Sequence, residues 1–182
     1  RYPELPLIDV PDSNLLPFKE AVETLNVITT PSIAKETFAI LYSEARKSGT
    51  NFSSAGGYNY AGVQTDNARW GGGASNFISA RFQRIDSGGV AREFASFNNN
   101  KEFLQFMANR IAGKGFDGLD ADKWTRKYID RWWSPADKAT LNPYNDVILF
   151  GRRGKTGAQV YNTKRSFYTS AMTKYNQYRP MA

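Results

Sequence analysis

The chain has 182 residues, with 24 Lys and Arg against 17 Asp and Glu, and neither His nor Cys. That composition excludes a Ser-His-Asp triad, a cysteine nucleophile, a disulfide framework and any zinc site built on imidazole or thiolate, so chemistry must run on carboxylates, hydroxyls, amides or lysines. The positive excess lies in one half, with 8 basic and 9 acidic residues in 1–90 but 16 and 8 in 91–182. Both a polyanionic partner (nucleic acid, acidic wall polymer or anionic membrane surface) and a plain solvated basic face fit that asymmetry.

One domain is expected at this length. No apolar run approaches the roughly 18–20 residues that cross a bilayer, so no membrane span is expected, and the N-terminus shows no signal-peptide pattern. Because the sequence begins with Arg1 rather than Met, it is expected to be a processed or excised part of a longer protein. Pro3, Pro6 and Pro11 make residues 1–14 an extended arm without regular structure. Leu15, Leu16, Phe18, Ala21, Val22 and Leu25 then predict a first helix ending near Asn26. Thr30 followed by Pro31 is a helix start, cap then first turn. The second helix runs from there toward Gly49, its expected stop.

Residues 49–76 are rich in Gly, Ser, Asn and Thr yet hold Phe52, Tyr58, Tyr60 and Trp70, a long structured loop of the kind that carries function. Gly71-Gly72-Gly73 lacks the Lys-Ser/Thr of a phosphate loop and reads as plain loop. SARFQRID and VAREFASF around Ser87-Gly88-Gly89 predict a β-hairpin whose alternation puts Phe82 with Arg84, and Phe94 with Ser96, on shared faces. Helical spacing returns in 100–113, where Asn100 is the expected cap, and in 120–133, where Trp124, Tyr128, Ile129, Trp132 and Trp133 form an apolar stripe stopped by Ser134-Pro135. A glycine-containing loop with Arg152, Arg153 and Lys155 precedes a last helix at about 162–178. The outline is mainly α (α+β), with one small hairpin between helices.

Glu44 stands out in that outline. It falls in line with Ile33, Thr37, Ile40 and Leu41 on the second helix, which sets a carboxylate on an apolar stripe near a helix C-terminus. Desolvation and the negative end of the helix dipole both raise the pKa of such a group. A glutamate that keeps its proton near neutral pH meets the general-acid requirement of glycoside cleavage; a boundary salt bridge to Arg46, Lys47 or a distant base is the structural alternative.

Downstream come Tyr58-Asn59-Tyr60-Ala61-Gly62-Val63-Gln64, the hairpin, Phe94-Ala95-Ser96-Phe97, and a helix containing Glu102-Phe103-Leu104-Gln105-Phe106-Met107. This order resembles the lysozyme-like glucosaminidase domains of bacterial autolysins and flagellar wall hydrolases, glycoside hydrolase family 73, over residues 30–115. In that family a helix ends in the catalytic Glu, an Asn-x-Phe-Gly-Ile-Lys type segment follows, and a Phe-Arg-x-Tyr-x-Ser type strand end comes after the hairpin. Asn59, Gly62 and Val63 match the first segment, and Phe94 and Phe97 the second. Ala61 and Gln64 stand where the family has Phe and Lys, and Phe116 stands nearest the place of a family Tyr.

The resemblance implies a single lysozyme-like domain over 15–182, with 116–182 as a helical elaboration, acting on peptidoglycan as a glucosaminidase; muramidase or lytic chemistry needs the same acid. It implies Glu44 as catalytic acid and an acidic residue on the hairpin, for which Asp86 and Asp66 rank nearly equal. It places Tyr58, Asn59, Tyr60, Gly62, Gln64, Trp70 and Phe97 around the substrate. For the three aromatics Tyr58, Tyr60 and Trp70, stacking on sugar faces and packing beneath a loop are both open; for Gly62, close backbone approach and a plain turn are both open. No cofactor or metal is expected. The partners implied are glycan strands and anionic wall polymer, the location extracytoplasmic. The alternatives are a nucleic-acid-binding module using the basic, aromatic second half and a wall-binding domain without turnover.

Overall fold

The described elements, in chain order, are β1 (Asn14–Pro17), α1 (Phe18–Ile28), α2 (Pro31–Glu44), β2 (Arg46–Ser48), β3 (Asn51–Ser54), a 3-10 turn (Ala74–Phe77), β4 (Ala80–Ile85), β5 (Ala91–Ser96), α3 (Asn100–Ile111), α4 (Ala121–Lys127) with a π-helical turn (Tyr128–Trp132), and α5 (Gly157–Tyr178). They come from a computed structural model that describes residues 5–65, 74–85, 88–132 and 156–181. Asp66, Trp70, Asp86, the triple glycine, Trp133 and the basic loop at 151–155 lie outside the described residues. The fold is the mainly helical α+β class expected from the sequence.

α2 is the centre of the molecule. The Thr30 hydroxyl accepts from the Ile33 amide at 3.3 Å and Pro31 opens the first turn, as predicted. From Glu36 to Ser43 every residue is buried, so this helix has no broad solvent face: α1, α3 and α5 pack around it. An aromatic cluster fills its far half, with Phe18 and Phe38 at 6.2 Å, Phe18 and Phe52 at 4.8 Å, and Phe38 and Tyr175 at 6.1 Å, in edge and tilted arrangements that the ring quadrupoles favour.

The second helix is shorter than its pattern predicts. It stops at Glu44, and residues 46–48 pair antiparallel with 51–54, Lys47 opposite Phe52, with Gly49 at φ +63° in the two-residue turn. Gly49 is therefore a hairpin residue rather than a helix stop; the strand pairing, invisible to local propensity, outcompetes another helical turn. Lys47 closes the helix end, its ammonium donating to the Tyr42 and Ala45 carbonyls at 2.7 and 3.3 Å, groups that a helix C-terminus leaves without partners. β1 adds to the other edge of β3, with Leu16 opposite Phe52, so Leu15 and Leu16 belong to a strand and α1 begins only at Phe18.

The later hairpin forms where it was predicted, and its register sets Phe82 opposite Phe94 and Arg84 opposite Arg92. Both of its edges are covered. The N-terminal arm runs along β4, bonded between Ile8 and Arg81 and between Arg81 and Pro6 at 2.9 Å. Residues 63–65 run along β5, through Ala95 to Val63 at 2.9 Å and Thr65 to Glu93 at 3.0 Å, which removes the exposed ladder a two-stranded ribbon would present. The arm is thus extended but not free.

Asn99, not Asn100, caps α3, its carbonyl oxygen accepting from the Glu102 amide at 2.9 Å. Asn100 instead accepts from the Tyr60 hydroxyl at 2.6 Å and donates to Glu20 at 2.9 Å. α5 starts at Gly157, earlier than expected, because Thr156 and Gln159 form a reciprocal capping box that satisfies two otherwise unpaired amides.

Candidate active site

Where the buried helix ends, the structure opens. Glu44, the last residue of α2, lines a groove of about 500 Å³, a volume in the usual range of ligand clefts. One wall is Glu44 with Arg46 and Ser53 from the short sheet. The facing wall is the hairpin, through Phe82, Arg84, Ile85 and Phe94, and the loop Asn59–Gly62 closes the end.

The Glu44 carboxyl is crowded by protein on most sides, yet its tip is open to the groove. Glu44 is nevertheless an exposed residue at the end of a buried run, so the dry setting expected for this carboxylate is not found. That crowding raises its pKa above the ordinary carboxylate value, and the C-terminal position on α2 acts the same way through the helix dipole. Opposing the rise, in order of strength, are the Tyr128 hydroxyl, the charges of Lys164 and Arg110, and the Trp132 indole. Arg110 stacks over the Trp132 ring at 4.4 Å, which holds both groups in place beside the acid.

Tyr128 and Trp132 are the residues that sequence reasoning missed. Their i, i+4 spacing reads as core packing, and Tyr128 is indeed buried, stacked on Trp124 at 5.3 Å. Both belong to the π turn at 128–132, which carries them to the side of Glu44. The Tyr128 hydroxyl is buried and has no completed hydrogen bond of ordinary geometry, while its own pKa is raised by burial and then by the Glu44 charge. It is a donor waiting beside an acid.

The expected substrate residues separate into two groups. Tyr60, Asn59 and Gly62 are in the groove wall with Glu44. Tyr60 is pinned by Asn100 and set edge-on to Phe103 at 5.2 Å; burial, then Glu20 and Tyr58, pushes its hydroxyl well above the usual range. The Asn59 amide is fully engaged with backbone, donating to Val63 and Ala95 carbonyls at 3.0 and 2.8 Å and accepting from the Val63 amide at 3.0 Å. It shapes the loop. Gly62 sits at φ +62° with open space where a Cβ would be, the turn reading rather than a close approach.

Close approach falls instead on Gly56 and Gly57. A Cβ on Gly57 would meet Ser96 Oγ at 2.7 Å, and one on Gly56 would meet the Pro11 carbonyl oxygen at 2.5 Å. Tyr58 carries φ +55° and is tied to the Asn14 side chain at 2.8 Å. Gln64 bridges to Phe94, and Phe97 is buried against Phe103 and Phe106. None of these three lines the groove.

Among the described residues Glu44 is the one carboxylate in the groove wall, and no acidic cluster able to hold a metal ion is present among them. Comparisons with protein-family models, with characterised proteins and with solved structures find no match. No helix among the described residues is long and apolar enough to cross a membrane. Chemically, the arrangement offers a carboxyl group facing a cleft, a pair of stacked phenylalanines, Phe82 and Phe94, at 5.9 Å, and two guanidinium groups.

Proposed function

We propose that the protein is a peptidoglycan hydrolase that cleaves a glycosidic bond of the wall glycan, with Glu44 as general acid and a lysozyme-like arrangement of helix end, loop and hairpin around the cleft. The observation that carries this reading is the Glu44 carboxyl, raised in pKa and facing a groove large enough for sugar units. Its proton passes to the glycosidic oxygen as the C1–O bond breaks, so the leaving sugar departs as a neutral alcohol. The substrate's own 2-acetamido oxygen can bond to C1 as the C1–O bond breaks, and water then opens that bond at C1 and returns a proton to Glu44, a route that requires no second enzymic carboxylate as nucleophile. The half-buried Phe94, stacked on Phe82, offers an apolar face to a sugar ring. The basic second half holds the enzyme against anionic wall polymer outside the cell.

The test is incubation with purified sacculi, followed by mass spectrometry of the released muropeptides. New reducing ends at GlcNAc or MurNAc, or anhydro-sugars, support cleavage and say which bond is cut. Binding to sacculi without release assigns a wall-binding domain instead. Salt-sensitive binding to DNA or RNA with inert sacculi assigns the nucleic-acid module, for which the cations flanking Phe82 and Phe94 provide the specific motive.

A further inference from the structure

Two arginines, Arg46 and Arg84, line the groove, and among the described residues neither forms a salt bridge. Arg84 projects from the hairpin face that carries Phe82 and Phe94, and its guanidinium donates across to the Ala55 carbonyl. That carbonyl is neutral, and Arg84 Nε is buried with no acceptor. Arg46, exposed on β2 next to Glu44, projects into the same groove, where its cross-strand neighbour is Ser53. Among the described residues, neither guanidinium is matched by a carboxylate within salt-bridge distance. The one described acid in the wall is Glu44, which forms no ion pair with either of them.

A guanidinium donor buried without an acceptor costs free energy. A sugar hydroxyl can accept from that donor but does not neutralise the charge. A carboxylate does, because its two oxygens fit the guanidinium fork and supply the acceptor that Arg84 Nε lacks. On a wall strand the regularly recurring carboxylates close to the glycosidic bonds belong to the short peptide that branches from the glycan.

Building on the hydrolase reading, we infer that Arg84 and Arg46 form a subsite for a carboxylate of that branching peptide, so that the groove takes peptide-bearing glycan in preference to bare glycan. Glu44 and the Arg pair then have separate tasks: the acid acts on the sugar linkage, and the pair places the strand by its side branch.

The test measures equilibrium binding with Glu44→Gln protein, so that cleavage does not intervene. The probes are glycan strands bearing their peptides, the same strands with the peptides removed enzymatically, and the same strands with the peptide carboxylates amidated. The expected result is about tenfold or greater preference for the unmodified peptide-bearing strand, shrinking with salt and lost on amidation. Arg84→Gln and Arg46→Gln should each abolish most of that preference, and Arg84→Lys should restore part of it. Should Arg84→Gln fail to fold, the amidated ligand and the exposed Arg46 still decide. Equal binding of all three strands overturns the subsite but leaves the hydrolase reading standing. Displacement by a polyol-phosphate wall polymer as effective as peptide-bearing strand assigns the pair to phosphate and overturns the peptide assignment. Binding to none of the strands overturns both readings.

Discussion

Glu36 and Glu44 lie eight residues apart on α2, and both carboxyl groups are raised in pKa, but their settings differ. Glu36 is buried against a cavity of about 10 Å³, room for one water, beside Asp117, with Lys127 and Lys35 partly offsetting. Burial, then Asp117, pushes it to about 7. An acid whose folded pKa lies above its unfolded one makes folding take up a proton, so its contribution to stability is greatest below about pH 4.5 and is lost as pH rises toward 7. Glu36→Gln should therefore stabilise the protein at pH 8 by on the order of 2 kcal/mol and make little difference at pH 4; denaturant unfolding at the two pH values checks this.

Tyr128 gives a second residue-scale prediction. Its hydroxyl favours the ionised form of Glu44, so Tyr128→Phe should raise the acid's pKa and move the alkaline limb of the pH–activity profile upward. Because that hydroxyl lacks a completed bond in the resting protein, stability should change by less than about 1 kcal/mol. A downward shift of the limb would contradict this placement. The place of Glu44 on the apolar stripe of the second helix was legible in the sequence, because helical spacing is a local signal; the helix end at Glu44 itself was not, since Gly49 was the expected stop. Tyr128 was not, because its spacing from Trp124 and Trp132 is that of an ordinary buried stripe, and nothing local announces a π turn.

At the scale of elements, the cross-strand register of the hairpin at 80–96 was not legible, but the hairpin itself was, with the residues that share a face in each strand, since alternation and turn glycines are both local signals. The cap at Thr30 was legible for the same reason. The sheet of β1, β3 and β2 was not: Leu15-Leu16 reads as helix, and 46–48 reads as more of α2, until pairing with 51–54 decides otherwise. Chain packing also redistributes the glycines. Gly62 was singled out, but the tight contacts are at Gly56 and Gly57, where the loop presses on the arm and on Ser96. Gly57→Ala should cost roughly 2 kcal/mol or more, from its left-handed backbone and the contact with Ser96. Gly62→Ala, with the same backbone sign but open space, should cost only about 1 kcal/mol. Thermal unfolding of the two variants measures the order; a reversed order would contradict the packing described.

Across the whole molecule, one buried helix connects the core to the cleft. α1, α3 and α5 enclose α2 until its last residue, so the position of Glu44 is fixed by the entire apolar interior and not by a surface loop. Lys47 latches that end through the Tyr42 and Ala45 carbonyls and lies over the Phe167 ring of α5 at 4.6 Å. The fold class and the acid were accessible to sequence reasoning because burial and helix periodicity are local. The groove was not, because it forms between segments far apart in the chain: the end of α2, the Asn59–Gly62 loop and a hairpin more than thirty residues from Glu44.

The central claim is that Glu44 supplies the proton that breaks a wall glycan. Turbidity clearing and product release from purified sacculi, with Glu44→Gln beside the unaltered protein, test it most directly. The expected outcome is a loss of roughly 10²–10⁴-fold in rate with an unchanged or slightly raised unfolding midpoint, since the variant keeps the shape and removes a costly ionisation. A Glu44→Gln protein that clears sacculi at the unaltered rate would contradict the claim.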